Sequence, residues 1–298
     1  MTSATPLLRP IRRWLAAFAG AFTFALPAAA EPALWVIRDR DSTIYLFGTV
    51  HVLRGETQWL SPRIEAAAKA SDELWLETPS ASMDDIRASL ALLVKKHGIG
   101  SAPLTSHLTS EEREALKTET RLAGLAPNSL DRFQPWFAAL SISASALTQA
   151  GYDRAAGADA VLGKMFADRS IAPKGFETAD QQIELVTRLS EQDQLPYLRA
   201  AFGARGRVGP EEDKMIALWA AGDVDGIAAS NVAGIKASSP DIYDRMLVQR
   251  NAAWAGKIEK LLAGKGTVFI AVGAAHLAGP DSIQAQLGSH EIRAERLN

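Results

Sequence analysis

The chain has 298 residues, 47% of them hydrophobic, with 32 basic against 34 acidic side chains and no cysteine. The missing thiols exclude disulfides, thiol catalysis, a lipoprotein anchor and any Cys-ligated zinc or iron-sulfur centre. The slightly acidic balance gives no support to nucleic-acid binding, which calls for a basic face.

Residues 1–30 read as a cleavable export signal. Arg9, Arg12 and Arg13 form a basic start, and Trp14 to Leu26 (WLAAFAGAFTFAL) an apolar core too short for a stop-transfer helix. Ala28-Ala29-Ala30 is a small-residue cleavage signal, so cleavage is expected after Ala30. The mature protein is then periplasmic, with no stable membrane anchor. Arg12-Arg13 resembles a twin-arginine signal, but its flanks fit that pattern poorly and the general secretory route is expected. Without the leader, 29 basic residues face 34 acidic ones, a net charge of −5.

Residues 31–298 are ample for one domain with a large core. Leu34 to Arg38 and Ser42 to Phe47 alternate like strands and are joined by Asp39-Arg40-Asp41, which predicts a hairpin. Pro62 opens a short helix, PRIEAAAKA, and Glu73 to Glu77 (ELWLE) reads as the third strand. Met83 to His97, Ser110 to Leu122 and Phe133 to Gln149 have helical periodicity, with Ser82 and Thr109 as N-caps. A helix over Ala158 to Ala167 precedes a strand over Ala172 to Phe176 and a helix over Ala179 to Leu189. Asp193 to Ala263 reads as almost wholly helical and ends in a long amphipathic run, Pro240 to Leu262. Thr267 to Val272 is a strand, Pro280 to Leu287 a helix and Glu291 to Arg296 a closing strand. With strands at both ends and helices between, the expected fold is α/β: a central mixed sheet built from N- and C-terminal strands, flanked by helices, with a large helical middle.

Two strands end alike, in TIYLFGTVH (Thr43 to His51) and TVFIAVGAAH (Thr267 to His276). Each stops at a glycine that allows a sharp turn and close approach, then carries a histidine three residues on. Ligand sites of open α/β sheets gather beyond the carboxyl ends of strands, so His51, Glu77 and His276 are expected to converge. Two imidazoles and a carboxylate are a common ligand set for a divalent ion, with Mn, Co and Zn all acceptable. Taken singly, each of these histidines reads as a hydrogen-bonded structural residue and Glu77 as a helix cap; the repeated ending argues against that. His97, His107 and His290 read as helix-end or exposed residues. No H-E-x-x-H, G-x-S-x-G, Walker A or dinucleotide fingerprint occurs.

The order of LWVIRDRDSTIYLFGTVHVL, ELWLE, GADAVLGKMFADRSIAPKGFETADQQIELV, RNAAWAGKIEKLL and TVFIAVGAAHLAGPDSI resembles the TraB/PrgY/GumN family over most of the mature chain. Members of that family look like relatives of the Tiki membrane metalloproteases, with wider kinship to ChaN-like and erythromycin-esterase-like proteins. The resemblance implies an α/β core with two Gly-x-x-His motifs and a glutamate as metal and catalytic centre: His51, His276 and Glu77. It further implies Asp159, Glu177, Arg250 and Asn251 as residues lining the site. Asp159 and Glu177 also stand where they can cap the helices that follow, and Arg250 where it can pair with a core carboxylate.

The first expectation is metal-assisted hydrolysis in the periplasm, first of all of a peptide bond, with a small-molecule substrate as the other option. Glu77 would be a ligand or general base, and Arg250 the stabiliser of the developing oxyanion. The second is a metal-independent, esterase-like hydrolase with His51 as base and Glu77 orienting it. The third is a haem- or ligand-binding accessory protein.

Overall fold

The computed structural model describes residues 31–79 and 83–298. The export signal and the Ser82 cap lie outside the described residues. In chain order the first elements are β1 (Leu34–Arg38), β2 (Ser42–Thr49), α1 (Pro62–Ala70), β3 (Glu73–Leu76), α2 (Met83–His97), α3 (Ser110–Leu122), α4 (Pro135–Gln149) and α5 (Ala158–Ala167). Then come β4 (Lys174–Gly175), α6 (Ala179–Thr187), α7 (Glu191–Ala201), α8 (Arg205–Ala220), α9 (Val224–Ile227), α10 (Ala233–Ser238), α11 (Pro240–Tyr243) and α12 (Gln249–Leu262). β5 (Gly266–Gly273), α13 (Ile283–Ser289) and β6 (Glu295–Arg296) complete the chain.

The fold is α/β with one six-stranded mixed sheet in the order β4-β3-β5-β2-β1-β6. The hairpin forms as its alternation predicts, β1 pairing antiparallel with β2. β5 inserts between β2 and β3 and is parallel to both, with Thr49 opposite Gly273 and Leu76 opposite Ala271. Three carboxyl ends from distant parts of the sequence therefore leave the sheet at one edge.

Both faces of the sheet are covered, which explains why its central strands are nearly continuous hydrophobic runs. Phe47, Phe269 and Ala271 join Ile64 of α1, Leu162 and Phe166 of α5 and Trp219 of α8 on one face. Ile44, Leu46, Val268, Ile270 and Val272 meet Trp254 and Ile258 of α12 and Ile283 and Leu287 of α13 on the other. Period-two alternation along β2 and β5 decides which side chain joins which core. A third cluster, built from Leu116, Ile142, Leu195 and Leu198, holds the helical middle together. Among the described residues no helix is long and apolar enough to cross a membrane.

Local signals set most helix starts. Ser61 accepts the Ile64 N–H and precedes Pro62, and Thr109 forms a reciprocal capping box with Glu112. Three predicted elements differ. Ala172 to Phe176 shortens to Lys174–Gly175, because β4 is an edge strand with pairing on one side only. Glu291 to Arg296 shortens to Glu295–Arg296, which pairs only with Val36 and Trp35. The Pro240 to Leu262 run is not one α-helix: a π-helical turn over Asp244–Val248 interrupts it, and another covers Ala228–Val232.

Leu46 and Ile270 sit side by side at the centre of the sheet, both fully buried. Either residue changed to alanine is expected to cost about 2–5 kcal/mol. The measurement is the urea midpoint, at an unchanged slope.

Candidate functional site

The carboxyl ends of β2, β5 and β3 bring His51, His276 and Glu77 together, as the two matching strand endings require. A Cβ added to Gly273 would stand 3.0 Å from Glu77 Oε1 and 3.7 Å from both His51 Nε2 and His276 Cδ2. Gly273 is thus the floor of the site, and a side chain there would fill the space between the three groups. Gly48 does the matching job beneath β2, where a Cβ would press on the Ala274 backbone at 3.1 Å.

His51 is positioned by α5. Its Nδ1 and Asp159 Oδ2 are 2.7 Å apart, and Thr49 Oγ1 donates to the other carboxylate oxygen at 2.5 Å. The GAD triplet makes this contact possible. A Cβ on Gly157 would collide with the His51 carbonyl, Ala158 donates its N–H to Val50 O, and Asp159 then reaches back from the first turn. With Nδ1 facing a carboxylate, Nε2 is the ring atom left facing Gly273. The charge of Asp159 raises the His51 pKa to about 9 against the opposing effect of burial, with further help from the hydrogen bond and from Glu77, while Arg154 opposes it. The His51 side chain is 49% exposed, so solvent screens this pair without reversing the direction.

Glu77 and His276 occupy a drier, fully bonded half of the site. Glu77 Oε1 accepts the Gly273 N–H at 2.8 Å, and Oε2 accepts from Arg250 Nη2 at 2.7 Å and Gln182 Nε2 at 3.1 Å. Burial opposes its ionisation, but in the acid range where it titrates the protonated His276, Arg250, the protonated His51 and the Gly273 N–H together hold its pKa down to about 2. His276 Nδ1 lies 2.6 Å from Asn251 Oδ1, and Asn251 Nδ2 donates to the Asp281 carbonyl. That arrangement makes Nδ1 the protonated atom and leaves Nε2 to accept from Arg250 Nη1 at 3.1 Å. Burial pushes the His276 pKa down to about 4, Glu77 working against this and Arg250 with it. The ring also packs on Trp254, with centroids 4.5 Å apart.

Arg250 ties these groups to Glu177, whose carboxylate accepts from Arg250 Nε at 2.9 Å and from Trp254 Nε1 at 3.1 Å. Arg250 Nη1 also donates to the Met246 carbonyl inside the π-helical turn. One extra residue per turn there frees backbone carbonyls and changes the phase of the helix that follows. From that helix both Arg250 and Asn251 reach the site.

These contacts bear directly on the roles expected from the sequence. Asp159, not Glu77, orients His51. Glu77 is a poor general base, because its carboxylate is saturated with donors and strongly acidic. Arg250 has nearly all its N–H groups committed to Glu77, Glu177, His276 and Met246, which leaves little for an oxyanion. Asp159 and Glu177 are not helix caps; their carboxylates point into the site. Thr49, Gln182 and Trp254 were not singled out from the sequence, although Thr49 lies inside the GTVH motif itself. His97, His107 and His290 make no contact with the cluster: His107 faces Glu191 and His290 faces Glu259.

As metal ligands the three residues fit in kind but not in present arrangement. Both imidazoles have Nδ1 fixed by a carboxylate or amide, the outer-shell pattern that presents Nε2 to an ion. Yet Arg250 occupies the Nε2 lone pair of His276, which lies 3.7 Å from Glu77 Oε1. Among the described residues no group of three His, Asp or Glu side chains has metal-holding geometry.

Arg250→Met would leave Glu77 and Glu177 buried without their cation, and is expected to destabilise the fold by about 3–5 kcal/mol in urea titrations. The acid limb of stability has a definite sign. His276 titrates near 6.5 when unfolded and about 4 when folded, so its contribution is full above 6.5 and is lost as pH falls toward 4. Glu77, ordinarily at 4.5 and here at about 2, adds a second loss between those values. Unfolding free energy measured against pH should therefore fall from about 6.5 downward, and His276→Asn should flatten the upper part of that limb.

The TraB/PrgY/gumN family description matches residues 33–296. No match was found among curated proteins or among solved structures. The family match spans every strand of the sheet and every residue of the cluster around Gly273, and the chain belongs to the TraB/PrgY/gumN family.

Proposed function

We propose that the chain is a hydrolase of amide or ester bonds, peptides being the substrate class that the family resemblance suggests. The observation that carries this reading is the His51–Asp159 pair, which leaves His51 Nε2 facing the space over Gly273. Asp159 fixes the ring, as the third member of a triad does, and stabilises its charged form. His51 takes a proton from the attacking water and returns it to the leaving group. Glu77, His276 and Arg250 supply a rigid, charge-matched wall beside it. The leader read in residues 1–30 would place this reaction in the periplasm.

A pKa near 9 has a kinetic consequence. At neutral pH most of His51 is protonated, so a base mechanism runs on the minor form and its rate should climb with pH toward a plateau above about 9. Asp159→Asn removes the main cause of the raised value, so the rising limb should move to lower pH while the plateau drops. Initial rates on a quenched random-peptide mixture give both readouts. His51→Ala should lose roughly 10²–10⁴-fold, and a variant retaining wild-type rates would sink the assignment.

The second reading is metal-assisted hydrolysis, favoured by the two imidazoles fixed with Nε2 toward Gly273. A divalent ion held by His51, Glu77 and His276 would supply an acidified water and polarise the carbonyl. Arg250 would have to release His276 Nε2. Metal analysis of chelator-treated and Mn-, Co- or Zn-supplemented protein decides between the readings: activity surviving chelation supports the first, and activity restored only by an ion supports the second. In the second case His51→Ala and His276→Ala should lose the same ion. A Soret band after haem addition would instead revive the accessory-protein reading.

A further inference from the structure

The carboxylates of the site are matched from within. Glu77 and Glu177 share Arg250, while Asp159 faces His51 and Thr49. A different situation holds just outside, at Arg154. Its backbone is fixed on both sides: Leu53 and Asp153 exchange two backbone hydrogen bonds of 3.2 and 2.9 Å, and the Arg154 carbonyl accepts the Gly157 N–H at 3.0 Å. Asp153 Oδ1 accepts the Ala155 N–H at 2.8 Å. Gly157 packs at once against the His51 and Arg154 carbonyls, so the two residues are neighbours through their backbones.

The Arg154 side chain is exposed, and no carboxylate, carbonyl or ring among the described residues takes its guanidinium. Arg54, three residues beyond His51, shows the contrast. It bonds to Asp213 and the Ala150 carbonyl and lies 4.5 Å over the Tyr152 ring, so its charge is consumed by the fold. The charge of Arg154 is felt at His51, where it opposes protonation. Its guanidinium places a fixed positive charge beside the mouth of the site, in a chain whose net charge is −2.

We infer that Arg154 anchors a carboxylate of the substrate at the His51 edge of the site. That the bound molecule is a substrate rests on the hydrolase reading; the binding of a carboxylate does not. A guanidinium offers parallel N–H donors that match a carboxylate, and a loop already fixed by hydrogen bonds loses little entropy in presenting them. The carboxylate has two sources in a peptide, the chain terminus or an Asp or Glu side chain.

The full chain, immobilised, would be offered three pools of short random peptides: free-acid peptides, C-terminal amides, and amides lacking Asp and Glu. Retained peptides would be counted by mass spectrometry. Wild type should keep the free-acid pool roughly tenfold over the amides without acids. Retention of amides that contain Asp or Glu assigns the side-chain source, and their loss assigns the terminus. Arg154→Met should abolish the preference and Arg154→Lys keep part of it. Arg38→Met is the control, since Arg38 is exposed and pairs with Thr43 at the opposite edge of the sheet. Equal retention of all pools by wild type, or a preference that survives Arg154→Met, overturns the inference. Peptides that are retained but never cleaved would sink the hydrolase reading and leave the anchor standing.

Discussion

The parallel pairing of β2 with β5 is the constraint on which the rest of the molecule depends. Eight consecutive residue pairs, from Ser42 with Gly266 to Thr49 with Gly273, lock two segments more than two hundred residues apart. A slip of one residue would turn Ile44 and Leu46 away from α12 and also move His51 off the line of Gly273. The hydrophobic pattern that fixes the register therefore also fixes the site. Because both faces of the sheet are dry, the pairing is held by packing on either side as well as by its own hydrogen bonds.

Within the site, one cation holds the drier half together. Arg250 faces two carboxylates and an imidazole, all of them nearly buried, and neutral His276 accepts from it rather than competing with it. Burying such a set costs desolvation that the pairing must offset, and a buried ion network is weak evidence for stability as such. What it does secure is geometry. Glu77, Glu177 and His276 come from three separate stretches of the chain and each contacts Arg250, while the next residue, Asn251, holds the other side of the His276 ring. The π-helical turn before Arg250 sets the phase that lets adjacent residues 250 and 251 serve the same cluster.

Legibility in the sequence followed the range of the interactions. The hairpin, the helix start at Pro62, the cap at Thr109 and the strand TVFIAVG depend on residues close in sequence, and the pattern alone predicts them. The convergence of His51, Glu77 and His276 was also readable, because strand ends of an open sheet share an edge. The division of labour among them was not. Asp159 holds His51 across 108 positions, and nothing near either residue says which carboxylate will win. The sequence leaves Glu77 open as ligand, base or orienter, whereas in the fold Arg250, Gln182 and Gly273 take up its oxygens. The edge strands β4 and β6 came out short for a related reason: a strand paired on one side stops where its single partner turns away, and its own sequence does not record that point.

The two Gly-x-x-His endings, alike in sequence, are therefore unlike in chemistry. His51 sits half-exposed beside a carboxylate that favours its charged form, whereas His276 is buried, neutral and donated to by a guanidinium. The two environments push like groups to opposite protonation states near neutral pH: one ring is charged and open to solvent, the other neutral and buried. Sequence symmetry gave the place and tertiary contacts gave the difference. A reaction that needs one mobile proton beside one fixed acceptor is served by that difference better than by two equivalent rings.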